Sequence, residues 1–132
     1  RIMTELIPKL YIGNWHEARA AQGFYIVTVA SDSLFQGDAF FPLIDGPGNS
    51  QELFDSAVDT VVKLYPKMDR VLVHCIGGRR RSAAVIVAAA TRLTKRPFCE
   101  VYDELLRLHD FTGGGARIHP HLSTLLLKNI GE

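Results

Sequence analysis

Residues 71–93 place three features in unbroken succession, and few architectures accommodate all of them. Val71-Leu72-Val73 is a short continuous apolar run, the pattern of a strand buried on both faces of a parallel sheet. His74-Cys75-Ile76-Gly77-Gly78-Arg79-Arg80-Arg81-Ser82 follows, a short loop rich in glycine and arginine. Residues 82–93 are then nearly all Ala, Val and Ile, which predicts a helix buried on most sides. A buried strand entering a buried helix through a tight loop is a core unit of an α/β domain. Its ligands sit beyond the strand's carboxyl end.

The flanking sequence repeats this alternation. Residues 10–13 and 25–30 read as strands rich in β-branched and aromatic residues. Asn14 is placed to cap a short helix over residues 15–22, with Gly23 as its stop. Residues 40–44 read as a further strand, and Pro42 confines it to an edge or irregular position. After the turn Asp45-Gly46-Pro47-Gly48, Ser50 is placed to cap a helix over residues 51–65. In it Leu53, Phe54, Ala57, Val58, Val61, Val62 and Tyr65 recur at helical spacing. Two amphipathic helices, residues 98–109 and 121–130, close the chain, with Gly113-Gly114-Gly115 between them. The expected fold is a single α/β domain, a mainly parallel sheet flanked by helices, over residues 1–132.

The loop after Val73 carries the chemistry. A tight Gly-containing turn between strand and helix points backbone N–H groups inward, at the positive end of a helix dipole. Gly78 stands where a side chain would be awkward. The field that holds a phosphate dianion also favours a thiolate at the mouth of such a nest, where Cys75 stands. Arg81, six positions after Cys75, opens the helix. Its planar fork is able to hold two phosphate oxygens, as a lysine is not.

His-Cys, five residues, then Arg-Ser, with Gly three positions after the Cys, resembles the signature of the protein tyrosine phosphatase superfamily. Leu6-Ile7-Pro8-Lys9-Leu10-Tyr11-Ile12-Gly13 is similar to the opening of the dual-specificity branch, as is Asp45, thirty residues before Cys75, to its general acid. The resemblance implies a phosphoprotein phosphatase of that branch, with Cys75 as the attacking nucleophile. Arg81 and the amides of Ile76, Gly77, Gly78, Arg79 and Arg80 would bind phosphate. Asp45 would serve as acid and then base, Ser82 would hydrogen-bond the sulfur, and His74 would hold the loop's shape. No cofactor or metal is implied, and the partner is a phosphorylated protein. Two departures stand out: Arg79 and Arg80 make the loop unusually basic, and His119-Pro120-His121 replaces a Pro-Asn common before the last helix.

The bland readings compete on some positions. Asp32 and Asp38 are alternative acids, and Asp45 is favoured because it follows a strand and opens a loop with freedom to move. Arg79 and Arg80 are either a solvated rim or an attractor of a second acidic group. The latter would suit a more anionic substrate, such as a phosphoinositide or an RNA 5′ end. A non-catalytic phosphate-binding module is a third possibility. Cys99 lacks any motif and is expected to pack in the interior. His109, His119 and His121 match no metal-ligand spacing.

The net charge of +1 makes no case for nucleic acid, and no apolar run approaches a membrane span. Two cysteines in 132 residues form no disulfide framework, and residues 1–4 lack the apolar core of a signal peptide. Together these lead to a cytoplasmic expectation. Oligomeric state is left open.

Overall fold

Among the described residues the sheet has five strands, and the last of them in sequence is the central one. The computed structural model describes residues 3–77, 79–109 and 118–131. The elements are β1 (Thr4–Ile7), β2 (Leu10–Gly13), α1 (Trp15–Ala20), β3 (Tyr25–Thr28), β4 (Ala39–Phe40), α2 (Gln51–Leu64), β5 (Val71–His74), α3 (Arg81–Thr94), α4 (Phe98–Leu108) and α5 (Pro120–Asn129). β5 pairs in parallel with β2 and β3, and β3 in parallel with β4; β1 joins β2 antiparallel. The sheet is mainly parallel, as its apolar runs predict.

Strand alternation sorts the core into two layers. Leu10, Ile12, Val27, Val71 and Val73 face a main core shared with α2–α5. Ile26 and Leu72 point the other way and pack with Ala18 of α1. Every residue of β5 is buried, which is why its sequence is an apolar run without alternation.

Helix starts follow the expected caps. Asn14 Oδ1 accepts from Glu17 N–H at 2.8 Å, and Glu17 Oε1 accepts from Asn14 N–H at 2.8 Å, a reciprocal capping box on α1. Ser50 Oγ accepts from Leu53 N–H at 3.0 Å on α2. α3 has no side-chain cap, and residues 81–91 are buried without interruption.

Four expectations need correction. Of the segment read as a strand over residues 40–44, only Phe40 lies in β4, because Pro42 has no N–H to extend the ladder and Leu43 N–H turns back to Phe41 O at 2.8 Å. α1 ends at Ala20, since Ala21 is already extended, and Gly23 (φ +78°) serves the turn into β3 instead. β1 was not anticipated; the Leu6–Gly13 motif is a hairpin, with Lys9 at φ +74° in its turn. Cys99 is exposed, because it lies two residues before buried Val101 and so on the opposite face of α4.

Candidate active site

Three parallel strands end level with one another: Gly13, His74 and Thr28 share one row of the sheet. Cys75 leaves the sheet from the middle of that row. The loop it opens is fixed on both sides, by Val29 N–H donating to His74 O (2.9 Å) and Trp15 N–H donating to Ile76 O (3.1 Å). A strand held by two neighbours therefore sets the position of the sulfur.

His74 is fully buried beneath this loop. Its Nδ1 lies 2.8 Å from Cys75 O, and its Nε2 lies 2.7 Å from Thr28 Oγ1. A carbonyl only accepts, so Nδ1 carries the proton and Nε2 accepts from the Thr28 hydroxyl. That arrangement requires a neutral ring. Burial accordingly pushes the His74 imidazole below its ordinary value, against the opposing pull of the Cys75 carbonyl.

Cys75 is 3% exposed, and its Sγ lies 3.1 Å from Ser82 Oγ. Both belong to the ends of buried elements, the strand before the loop and the helix after it. A cavity of about 110 Å³ opens over the sulfur, lined by Asp45, Cys75, Gly77, Arg79, Arg80 and Arg81. It has room for a phosphoryl group, not for a large ligand. An open cleft of about 750 Å³ elsewhere, bounded by Val62, Arg92, Lys95 and Ile130, holds neither cysteine nor carboxylate. Size therefore does not select the site here; chemistry does.

Arg81 opens α3 and is itself buried. Its Nη1 donates to Asp32 Oδ1 at 2.7 Å and to Leu43 O at 3.1 Å. Both of these bonds are made by Nη1, and Arg81 also lines the cavity that holds Cys75. The Arg81 hydrogen bond holds the Asp32 carboxyl below its usual range. A buried cation facing a cavity is costly unless an anion completes its surroundings.

The three candidate acids separate cleanly. Asp45 lines the cavity with Cys75, and its Oδ2 is 3.9 Å from Arg80 Nη1. Asp38 Oδ2 accepts from Ile26 N–H at 2.8 Å and ties down the sheet edge. Asp32 belongs to Arg81. The turn that follows Asp45 is closed by hydrogen bonds from one side chain. Asn49 is buried and accepts from Ile44 N–H at 2.8 Å while donating to Ile44 O (2.8 Å) and Gly46 O (2.9 Å). His119 caps α5 by accepting from His121 N–H at 3.1 Å, and His121 Nε2 lies 3.3 Å from Asn49 O.

Gly77, Arg79, Arg80 and Arg81 all border the cavity, whereas Ile76 lines a separate apolar one beside it. Gly78 lies outside the described residues. Sequence reasoning missed Thr28 and Asn49, and it weighed Asp32 only as an alternative acid and not as a partner of Arg81. A lone Thr in an apolar strand and an Asn closing a Gly-rich turn were the available signals.

No protein-family model matches the chain. A stretch of 76 residues is 30% identical to the dual specificity protein phosphatase PHS1 of Arabidopsis thaliana; it is 58% of this chain and spans 8% of that protein's length. Among solved structures, a variant of human DUSP28 superposes with a TM-score of 0.78 at 20% identity, over 98% of this chain and 94% of that one. Orf virus OH1, described as a tyrosine phosphatase with triple substrate specificity, gives 0.76 at 22% identity, over 97% and 86%. The human tyrosine phosphatase-like serine/threonine/tyrosine-interacting protein gives 0.69 at 17% identity, over 97% and 95%. With the Cys75 loop at the end of its central strand and these neighbours over nearly its whole length, the chain has the fold of the dual-specificity phosphatases.

Proposed function

We propose that residues 1–132 form a catalytic domain that hydrolyses phosphotyrosine and phosphoserine or phosphothreonine in proteins, through a phosphocysteine on Cys75. One observation carries the reading: a single small cavity gathers Cys75, Arg81 and Asp45, with Ser82 Oγ 3.1 Å from the sulfur.

In the first step the Cys75 thiolate attacks phosphorus in line. The bond from phosphorus to the side-chain oxygen breaks, and Asp45 delivers a proton to that oxygen. Arg81 and the loop amides stabilise the equatorial oxygens as charge spreads over them. In the second step water attacks phosphorus and Asp45 takes its proton. The P–S bond breaks, its electron pair returns to sulfur, and Ser82 donates a hydrogen bond to the departing thiolate. His74, held neutral beneath the loop, keeps the shape of the nest. The chemistry uses no cofactor.

Arg80 is within ion-pair distance of Asp45, so part of the basic rim serves the acid instead of a second anion on the substrate. This favours a monophosphate side chain over a phosphoinositide or an RNA 5′ end. The non-catalytic alternative is disfavoured because nucleophile, guanidinium and acid all face one cavity. Free thiols at Cys75 and Cys99 agree with a reducing, cytoplasmic setting. Among the described residues, no helix is long and apolar enough to cross a membrane.

The test is hydrolysis of an aryl phosphate and of matched phosphotyrosine and phosphoserine peptides by the wild-type chain and Cys75→Ser. Turnover in the wild type and none in Cys75→Ser is expected; full activity in Cys75→Ser would overturn the mechanism.

A further inference from the structure

A second cavity, about 260 Å³, adjoins the catalytic one and is lined by Trp15, Asp32, Ser33, Leu34 and Ile76. The two share no wall, yet they are joined twice. Ile76 stands between Cys75 and Gly77 in the chain, and the Asp32 carboxylate is bonded to Arg81 at 2.7 Å. Whatever places a phosphate over Cys75 therefore lays its neighbouring atoms near this second opening.

Its chemistry is selective. Ser33 hydroxyl donates to Phe35 O at 2.5 Å and so has no donor left to offer. Leu34 is fully exposed, the most exposed large apolar side chain among the described residues. A single exposed leucine is ordinary. This one, however, rises from a loop pinned by Ser31 N–H to Leu43 O (2.9 Å), Ser33 N–H to Ala30 O (3.3 Å) and Asp38 N–H to Ile26 O (2.8 Å). The opposite wall is equally fixed: Trp15 is tied to the Cys75 loop by its backbone, and Arg19 lies 4.9 Å over its ring.

We infer that this groove is a specificity subsite for a large apolar side chain next to the phosphorylated residue of a peptide substrate. The inference rests on the phosphatase reading and deepens it. The Asp32 carboxylate at the border repels an acidic side chain in the same place.

The test is a phosphotyrosine peptide series, identical except for Phe, Leu, Ala or Asp immediately before or after the phosphotyrosine. On one side, Phe or Leu is expected to exceed Ala in kcat/KM by about tenfold, the effect of partly burying such a side chain. Asp is expected to fall below Ala. In Leu34→Asp and in Leu34→Ser the Phe-to-Ala ratio should collapse toward one. A flat series with normal aryl phosphate turnover overturns the subsite alone, as does a ratio unchanged in both variants. Absence of aryl phosphate turnover overturns the phosphatase reading instead. Peptide affinities titrated on Cys75→Ser carry the same rank order, so the subsite is judged in either case.

Discussion

Arg81 donates from Nη1 to Asp32 Oδ1 across 2.7 Å, so a buried cation lining the Cys75 cavity is oriented by a carboxylate that does not line it. The Asp32 side chain is 62% exposed, and solvent screens its charge. Its role is therefore more geometric than electrostatic. Asp32→Asn keeps an acceptor for Nη1 while removing a negative charge near the phosphate. Inorganic phosphate is expected to inhibit this variant about twofold to fivefold more tightly, the scale of one screened charge near the surface. Asp32→Ala, lacking the acceptor, should instead lower kcat. Weaker phosphate inhibition in Asp32→Asn would mean the charge itself is needed to aim the guanidinium.

Asp45→Asn removes the proposed proton donor from the cavity while keeping the size of the side chain. Turnover of an alkyl phosphate should fall by about 10²–10⁴-fold, the usual range for a positioned acid. An activated aryl phosphate, whose leaving group needs little protonation, should suffer much less. Equal losses on both substrates would assign the acid elsewhere.

Ser82 lies 3.1 Å from the Cys75 sulfur, and in the proposed mechanism it assists the departure of the thiolate in the second step. Ser82→Ala should slow dephosphorylation by about 10–100-fold, the loss of one hydrogen bond to a charged group. Rapid-quench kinetics should then show a burst of leaving group followed by slow turnover. A slowed burst with no accumulation would place Ser82 in the first step.

Asn49 closes the Asp45 loop with three hydrogen bonds from a buried position. Asn49→Ala should cost about 1–3 kcal/mol of stability in denaturant unfolding, because the Ile44 N–H and the Gly46 carbonyl lose this partner, while Ile44 O keeps the Gly46 N–H. Its kinetic defect should mirror that of Asp45→Asn, greatest on poor leaving groups. A stability loss without this substrate dependence would limit Asn49 to folding.

His74 is held below its usual value by burial, so the folded protein keeps it neutral where the unfolded chain takes up a proton. The stabilisation is complete above about pH 6.5, the unfolded value, and is lost as pH falls from there toward the lower folded value. Unfolding midpoints measured from pH 7.5 to 5 should decline, and His74→Gln should flatten that decline while lowering stability throughout. An unchanged slope in His74→Gln would assign the titration to another group.

Much of this was legible in the sequence, for identifiable reasons. Periodicity located α2, and an apolar run with no alternation marked β5 as central, because burial on both faces leaves no polar phase. The loop from His74 to Ser82 was readable because the residues of the proposed site are contiguous: the cysteine, glycines and arginines lie within nine residues. What could not be read depends on long-range approach. Asp32 meets Arg81 from 49 positions away, and Thr28 meets His74 from 46. β1 is four residues whose pairing appears only once Lys9 turns the hairpin. Cys99 was misplaced because a residue preference was used where helix phase decides the matter.

The uninterrupted burial of α3 from Arg81 to Thr91 has an evolutionary corollary. A rod enclosed on every side has no free surface on which substitutions can accumulate harmlessly, so the guanidinium and hydroxyl at its tip are locked to the packing of the whole interior. In the proposed site, a change of substrate preference is then more readily made at exposed positions outside the rod, such as Leu34, than along it.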